Sequence, residues 1–401
     1  MSDSPTPQQP AAPQPADDFA LASGSTPLAR VIGDEIAAAD GRITFERFMA
    51  LALGHPEHGY YSREDVAWGA QGDYETSPEV HSIFGYLWAR QIAECWHRLG
   101  EPDPFTVIEP GAGSGRFAVD IHTWLRERAP DCAAATRAVL LDGSPQRLAG
   151  QRRTLQAAGL TAEYALVEDW LNRESVAAGV VISNEFFDAL PVHLVERRDG
   201  TLHEWYVTAE AEGGLALELG PASTPQLDRT FEALGLQPGD GSRAEVSLAA
   251  PEVMARLSSQ LDRGYLLTID YGKEAADLYA SWRRMGTLMA FQNHSPQPDP
   301  LASPGLLDLT AHVDFTTLAA AADGYESAPT VSQAEALVAL GVSDALDTSR
   351  ERASADVAQF ATDRRAVETL TDLAGLGRIR VLVQAKDAPL DGLLCLRPLG
   401  G

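Results

Sequence analysis

The chain has 401 residues, 45% of them hydrophobic and 22% charged. That is ordinary globular usage, which excludes wholesale disorder and fits about two to four domains, or one large domain with insertions. Against 57 acidic residues stand 31 basic ones, a net charge of −26, so phosphate backbones and anionic membranes are repelled; a cationic partner is compatible with this charge, and service to solubility alone accounts for it equally well.

Residues 1–25, rich in Pro, Ala and Gln, bury too little apolar surface to offset their ordering entropy and read as a disordered tail. Thr44 is placed to cap a helix carrying Phe45, Phe48, Met49 and Ala52 on one face. A glycine-rich aromatic loop runs from His55 to Asp73. Ser77-Pro78-Glu79 supplies an N-cap, an N1 proline and an early acid, predicting a helix that continues through Val80, Ile83, Phe84 and Leu87 to Leu99, with Gly100 ending it.

From Phe105 the texture changes. Apolar runs at Phe105–Ile108, Ala138–Leu141, Val180–Ser183 and Tyr265–Ile269 end in Glu109, Asp142, Asn184 and Asp270, with helical stretches after the first two. This predicts an α/β protein with a doubly wound, Rossmann-like parallel sheet. Residues 192–219 switch to period two around Asp199-Gly200, a hairpin signal, and read as an inserted antiparallel meander with a further turn at Gly213-Gly214. Ser332 to Glu335 forms a capping box, and Arg378–Gln384 a closing strand.

Cys95, Cys132 and Cys395 are too few and too scattered for a disulfide framework or a thiolate zinc site. His55 and His58 bracket a loop Pro-Glu, and no metal is expected there. There is no apolar run of about 18–20 residues and no basic residue before Arg30. The expectation is therefore a reduced, cytoplasmic compartment, with no membrane and no nucleic-acid partner.

Four segments could carry chemistry. Glu109-Pro110-Gly111-Ala112-Gly113-Ser114-Gly115 follows a buried strand. Its third glycine comes one position early for a dinucleotide fingerprint, and a carboxylate precedes the first. Such a carboxylate opposes a pyrophosphate but suits the amino group and sulfonium of S-adenosylmethionine. Asp142, at the next strand end, is placed to accept from two ribose hydroxyls. A tight turn with a surface cap, or nicotinamide binding, are the competing readings. Asn184-Glu185-Phe186-Phe187-Asp188 sets two carboxylates and an amide beside large apolar side chains at a strand end, costly to bury without purpose. The alternative is a helix capped by Asp188. Gly72–Glu79 alone is only a turn and a helix start, and Asp308–Phe315 alone is a helix start with an interior, satisfied histidine.

Together, in this order, these segments resemble the MidA family of S-adenosylmethionine-dependent methyltransferases, related to a mitochondrial complex I assembly factor. The resemblance rests on Gly72-Asp73-Tyr74-Glu75-Thr76-Ser77-Pro78-Glu79, Glu109 to Gly115, Asp142-Gly143-Ser144-Pro145 with Gln151, Asn184 to Pro191, Asp270-Tyr271-Gly272, Asp308 to Phe315 and His55 to Tyr61, and spans about residues 30 to 385. Tyr74, Ala112 and Ser114 depart from the family's Phe, Pro and Arg.

The resemblance implies a class I methyltransferase sheet. It further implies a helical substrate or lid region at 26–104, a core at 105–275 carrying the insertion near 192–220, and C-terminal additions at 276–401. It implies S-adenosyl-L-methionine as cofactor, held by Glu109, Gly111, Gly113, Gly115, Asp142, Ser144, Asp169 and Asn184. It implies an arginine of a protein partner as substrate, with a role in respiratory complex assembly. Paired carboxylates orient a guanidinium and favour its deprotonation, which makes Glu185 the first catalytic candidate, with Asn184 and Asp188 beside it. Glu79, Thr76, Ser77 and His312 complete the substrate set. A small-molecule methyltransferase, or a cofactor-binding assembly factor with little catalysis, are the alternatives.

Overall fold

In the computed structural model, residues 26–63, 76–210, 214–293, 295–346 and 357–398 are described; the expected tail, the residues Gly72–Glu75 and Gly213 lie outside them. The chain enters through α1 (Pro27–Ala38), β1 (Arg42–Thr44) and α2 (Phe45–Gly54). Thr44 caps α2 as its sequence predicts, accepting from Arg47 N at 3.0 Å. The single helix expected from Ser77 is instead two, α3 (Ser77–Val80) and α4 (Ile83–Arg98). His81 is extended at the break, and its Nδ1 accepts from Ile83 N at 3.2 Å, so a side chain satisfies the start of α4 and the chain turns there. Gly100 ends this segment with φ +79°.

The core alternates strands and helices: β2 (Phe105–Pro110), α5 (Arg116–Arg128), α6 (Pro130–Ala135), β3 (Thr136–Asp142), α7 (Pro145–Ala157), β4 (Glu163–Leu166), α8 (Val167–Leu171) and β5 (Val176–Asn184). Then come β6 (His193–Arg198), β7 (Thr201–Ala209), β8 (Leu215–Pro221), α9 (Gln226–Leu234), β9 (Arg243–Val246), α10 (Ala249–Ser259) and β10 (Leu261–Asp270). The last part holds β11 (Gly272–Lys273), α11 (Ala275–Leu278), β12 (Met289–Gln292), β13 (Ser295–Gln297), β14 (Asp308–Thr310), β15 (Val313–Asp314), α12 (Phe315–Ala321), β16 (Glu326–Ser327), β17 (Val331–Ser332), α13 (Gln333–Ala339), the helix Val357–Thr371 and β18 (Arg380–Lys386).

The main sheet runs β16-β18-β10-β5-β2-β3-β4, with β17 also on β18. Strands β10, β5, β2, β3 and β4 are parallel, and β18 is antiparallel to β10. The order steps outward from β2 to β4, then returns to the other side of β2 with β5. That reversal is the switch point where doubly wound sheets bind ligands, at the carboxyl ends of their strands. Both faces are buried, which explains the near-continuous apolar strands. One face packs Phe84, Trp88, Phe117 and Leu337 from α4, α5 and α13; the other packs Trp170, Met254, Leu257 and Phe315 from α8, α10 and α12.

The meander is larger than its sequence suggests. A separate five-stranded antiparallel sheet joins β6, β7 and β8 to β1 from the N-terminal part and to β9. Residues Arg42–Thr44 are too short a run to reveal this pairing. Leu28, Ile32, Phe45 and Phe48 of α1 and α2 pack on Leu194 and Val207 of that sheet and on Leu307 and Leu309, which brings Tyr60 and Tyr61 over the edge of the main sheet.

Candidate functional site

A cavity of about 330 Å³ opens at the carboxyl ends of β2, β3 and β5, lined by Glu109, Gly111–Ser114, Asp142–Ser144, Asn184–Phe186 and Asp188–Pro191. Tyr60, Tyr61, Thr76, Pro78, Glu79, Arg147, Asp308 and Thr310 close its other sides.

At one end, the glycine loop turns β2 into α5. Gly111, Gly113 and Gly115 take φ of +68°, +53° and +82°, conformations that L side chains rarely adopt. A Cβ on Gly111 would also sit 2.6 Å from Phe186 Cδ2, so the loop and the β5 end pack directly. Gly115 is the N-cap of α5, one step behind the cavity wall. Ser114 Oγ donates to Glu79 Oε1, which ties α3 to the loop. Asp142 accepts from Ser144 N at 3.1 Å and from Gln151 Nε2 at 2.8 Å, and Gln151 Nε2 also reaches Gly113 O at 3.2 Å. One amide from α7 therefore fixes both the acid and the loop. Burial pushes the Asp142 carboxyl up from its ordinary range. Glu109, wholly enclosed and without a hydrogen-bond partner among the described residues, is pushed up to about 8 by desolvation alone.

At the other end, Glu185 takes φ +49° immediately after β5, a strained region for a residue with a side chain. Its N–H donates to Ile269 O at 2.8 Å. Glu185 Oε1 accepts from Ser77 N at 3.2 Å and from Asn184 Nδ2 at 2.9 Å, while Glu185 Oε2 and Asn184 Oδ1 are buried without partners. Desolvation, then repulsion from Asp188, raises Glu185 to about 8. Asp188 is raised well above the usual range by burial and by Asp270 and Asp308. The helix capped by Asp188, the alternative reading of this segment, does not form. Asp270 instead accepts from Phe186 N, Phe187 N and Tyr271 N at 3.1, 2.8 and 2.8 Å and holds Asn184–Asp188 as a turn. Burial lifts Asp270 to about 8 as well. Four carboxyl groups thus share one poorly solvated region, a strong preference for a cation.

The sequence-predicted residues are not all brought together. Glu109, Gly111, Gly113, Asp142, Ser144, Asn184, Glu185, Asp188, Thr76 and Glu79 line the cavity; Ser77 is buried just behind it, its Oγ donating to Gln333 Oε1 at 3.0 Å. Asp169 does not belong to the cavity: it is exposed in the first turn of α8, because β4 is short and the helix starts at once. His312 does not line it either. Asp308–Phe315 is not a helix start but β14, a link and β15, with Asp314 capping α12. His312 lies in the link, stacked on Tyr271 with ring centroids 6.4 Å apart.

Three contributors escaped the sequence reading. Tyr61 Oη donates to Asp308 Oδ1 at 3.0 Å. Arg147 Nε donates to Tyr61 O at 3.0 Å, and its guanidinium lies 4.9 Å from the Tyr61 ring centre. Tyr61 and Asp308 stood inside quoted motifs and were passed over; Arg147 carried no signal.

Comparison with known proteins agrees with this geometry. Residues 87–331 match the family model "Putative S-adenosyl-L-methionine-dependent methyltransferase". The chain is 31% identical over 330 residues to the "Protein arginine methyltransferase NDUFAF7 homolog, mitochondrial" of Drosophila melanogaster, covering 77% of this chain and 72% of that protein. It is 28% identical over 331 residues to the Homo sapiens protein of that name, covering 75% and 69%. A crystal structure of a COG1565 superfamily member from Burkholderia thailandensis bound to S-adenosyl-homocysteine superposes with a TM-score of 0.82 at 30% identity, covering 96% and 97% of the two chains. The cytoplasmic setting expected from the sequence is overturned here, since these curated relatives are mitochondrial by name.

Proposed function

The chain belongs to the family of S-adenosyl-L-methionine-dependent methyltransferases whose model spans residues 87–331, and from that premise we propose that it methylates an arginine side chain of a protein, in a role in respiratory complex assembly. The observation that carries this reading is the buried carboxylate group around Glu185, with Glu185 Oε2 and Asn184 Oδ1 left without donors. A guanidinium is planar, permanently charged and rich in N–H donors, and matches such acceptors in charge and geometry.

The other end of the cavity fits the cofactor. Asp142 would take the ribose hydroxyls. Glu109, with no partner of its own, would face the positively charged methionyl part. Gly111 and Gly113 would let the backbone approach, and Asn184 would stand between cofactor and substrate. When bound, S-adenosyl-L-methionine supplies an electrophilic methyl group on a sulfonium. Glu185 and Asp188 would align one guanidinium nitrogen with that group at about 3–3.5 Å, and Glu185 would accept the proton that nitrogen must lose. Tyr61, Phe186 and Leu190, all on the cavity wall, would exclude water. The strained backbone at Glu185, clamped by Ile269 O and Asp270, holds the carboxylate in place before substrate arrives.

The test is transfer from methyl-labelled S-adenosyl-L-methionine into proteins of an extract from cells lacking this protein, followed by acid hydrolysis. Label in methylarginine with wild type, and none with Glu185→Gln, is the expected result. Label confined to small molecules or to another amino acid would overturn the arginine reading.

A further inference from the structure

Of the six large apolar side chains exposed among the described residues, three fall within residues 282–289: Trp282 at 71%, Met285 at 75% and Met289 at 41% exposed. Clustered exposed apolar groups mark interaction sites more often than scattered ones. This segment is also firmly held. Arg243 N donates to Arg284 O at 3.0 Å, Met285 bridges Arg243 in β9, and Thr287 donates from both N and Oγ1 to the buried Glu245 Oε2 at 2.8 Å. An apolar surface on a fixed backbone loses little conformational entropy on binding, the property of an anchor.

The segment leads straight to the cavity. Met289 of β12 pairs with Thr310 of β14, and Thr310 lines the cavity. Met285 is four residues from Met289, at most about 14 Å along the chain. His312 is two residues beyond Thr310, at most about 7 Å.

The charge beside this surface opposes that of the whole chain. Arg283 lies 4.9 Å over the Trp282 ring, and Arg378 lies 5.9 Å over Tyr271, which stacks on His312. Arg283, Arg378 and Lys273 all act electrostatically on His312, which burial and these cations push down to about 4. None of these three cations makes an ion pair with a described carboxylate, and Arg283 Nε is buried without a partner. Lys273 is offset by Glu274, whose carboxyl it helps hold down, and faces Asp314 across the strand pair; in a chain of net charge −26, Arg283 and Arg378 beside an acidic cavity are a local reversal of charge that a bound segment must match.

We propose that the face formed by Trp282, Met285 and Met289 with Arg283 and Arg378 docks the protein substrate through a segment bearing apolar and acidic side chains, which sets the register of the arginine entering the cavity. The proposal rests on the protein-methylating reading above. It makes the target an arginine flanked, within a few residues, by acidic and apolar neighbours.

The test uses a fluorescein-labelled 16-residue peptide, designed on this rule with one arginine among Glu, Leu and Phe, titrated by anisotropy with the full chain saturated with S-adenosyl-homocysteine. Its comparison is the same peptide with every Glu changed to Lys. The expected result is saturable binding of the acidic peptide, at least tenfold tighter than the Lys form. Binding should weaken at least tenfold in Trp282→Ala/Met285→Ala, at least threefold in Arg378→Glu, and as salt rises. Calorimetry of S-adenosyl-homocysteine binding, unchanged in the variants, shows that they are folded. Equal or tighter binding of the Lys peptide, no binding of the acidic one, or undiminished binding by the variants would each overturn the proposal. Binding as expected, without methylarginine in the labelled extract, would leave the docking face standing and remove the arginine chemistry, so the two failures are distinguishable.

Discussion

Glu185, Asp270 and Glu109 have carboxyl groups lifted by burial to about 8. In each case the folded state keeps a proton that the unfolded chain, near the ordinary carboxyl value of about 4, gives up. The stabilising contribution is therefore complete below about pH 4 and is lost as pH rises through about 8. The ligand-free protein is expected to show a falling Tm from pH 5 to pH 9. In Glu109→Gln, which has no proton to lose, that fall is shallower; a slope identical to wild type would count against the burial argument. In the proposed reaction the Glu185 proton also governs catalysis. With Glu185 as the acceptor, kcat/KM at low cofactor concentration rises with pH through about 8, because the free enzyme must lose a proton to work. A profile flat from pH 6 to pH 9 would remove Glu185 from that role.

At the scale of elements, the glycine loop, the β5 turn and α3 are one assembly. Phe186 fills the space over Gly111, Asp270 bonds the turn, and Glu79 and Ser77 of α3 reach Ser114 and Glu185. Gly111→Ala must meet both a φ of +68° and the Phe186 ring. It is expected to cost about 1–3 kcal/mol, read as a lowered urea midpoint, with weaker S-adenosyl-homocysteine binding. Unchanged binding would mean that the loop is not built around that contact. Much of this was legible beforehand. The four buried strands, their acidic or amide ends and the early third glycine are local patterns, and they placed Glu109, Asp142 and Asn184 at one sheet edge. The capping residues Thr44 and Ser332 were equally local, and each forms the bond it announces. What stayed hidden depends on distant partners. The break at His81 needs its side chain turned back onto Ile83. The turn after Glu185 needs Asp270, 83 and 84 residues beyond the amides it bonds, and β1 needs β7 across the fold. A short strand and a single turn carry no period to read.

Over the whole molecule, the cavity has two ends of different chemistry, to which the proposed function gives different tasks. The β2–β3 end offers Asp142, Glu109 and the glycine backbone; the β5–β10 end offers a cluster of carboxyl groups roofed by Tyr61 from the N-terminal part. Beyond the rim, charge changes sign at the Trp282 face. The acidity of the chain as a whole serves solubility, but Glu185, Asp188 and Asp308 concentrate it on the cavity wall, while Arg283 lies over Trp282 and Arg378 over Tyr271. The measurement that tests this division most directly combines calorimetric titration of S-adenosyl-homocysteine with single-turnover methyl transfer in wild type, Asp142→Ala and Glu185→Gln. The division predicts that Asp142→Ala weakens binding at least tenfold. It also predicts that Glu185→Gln binds within about threefold of wild type while transfer falls by about 100-fold or more, the scale of losing a preorganised charged group. Glu185→Gln transferring methyl groups at the wild-type rate, or Asp142→Ala binding as tightly as wild type, would contradict it.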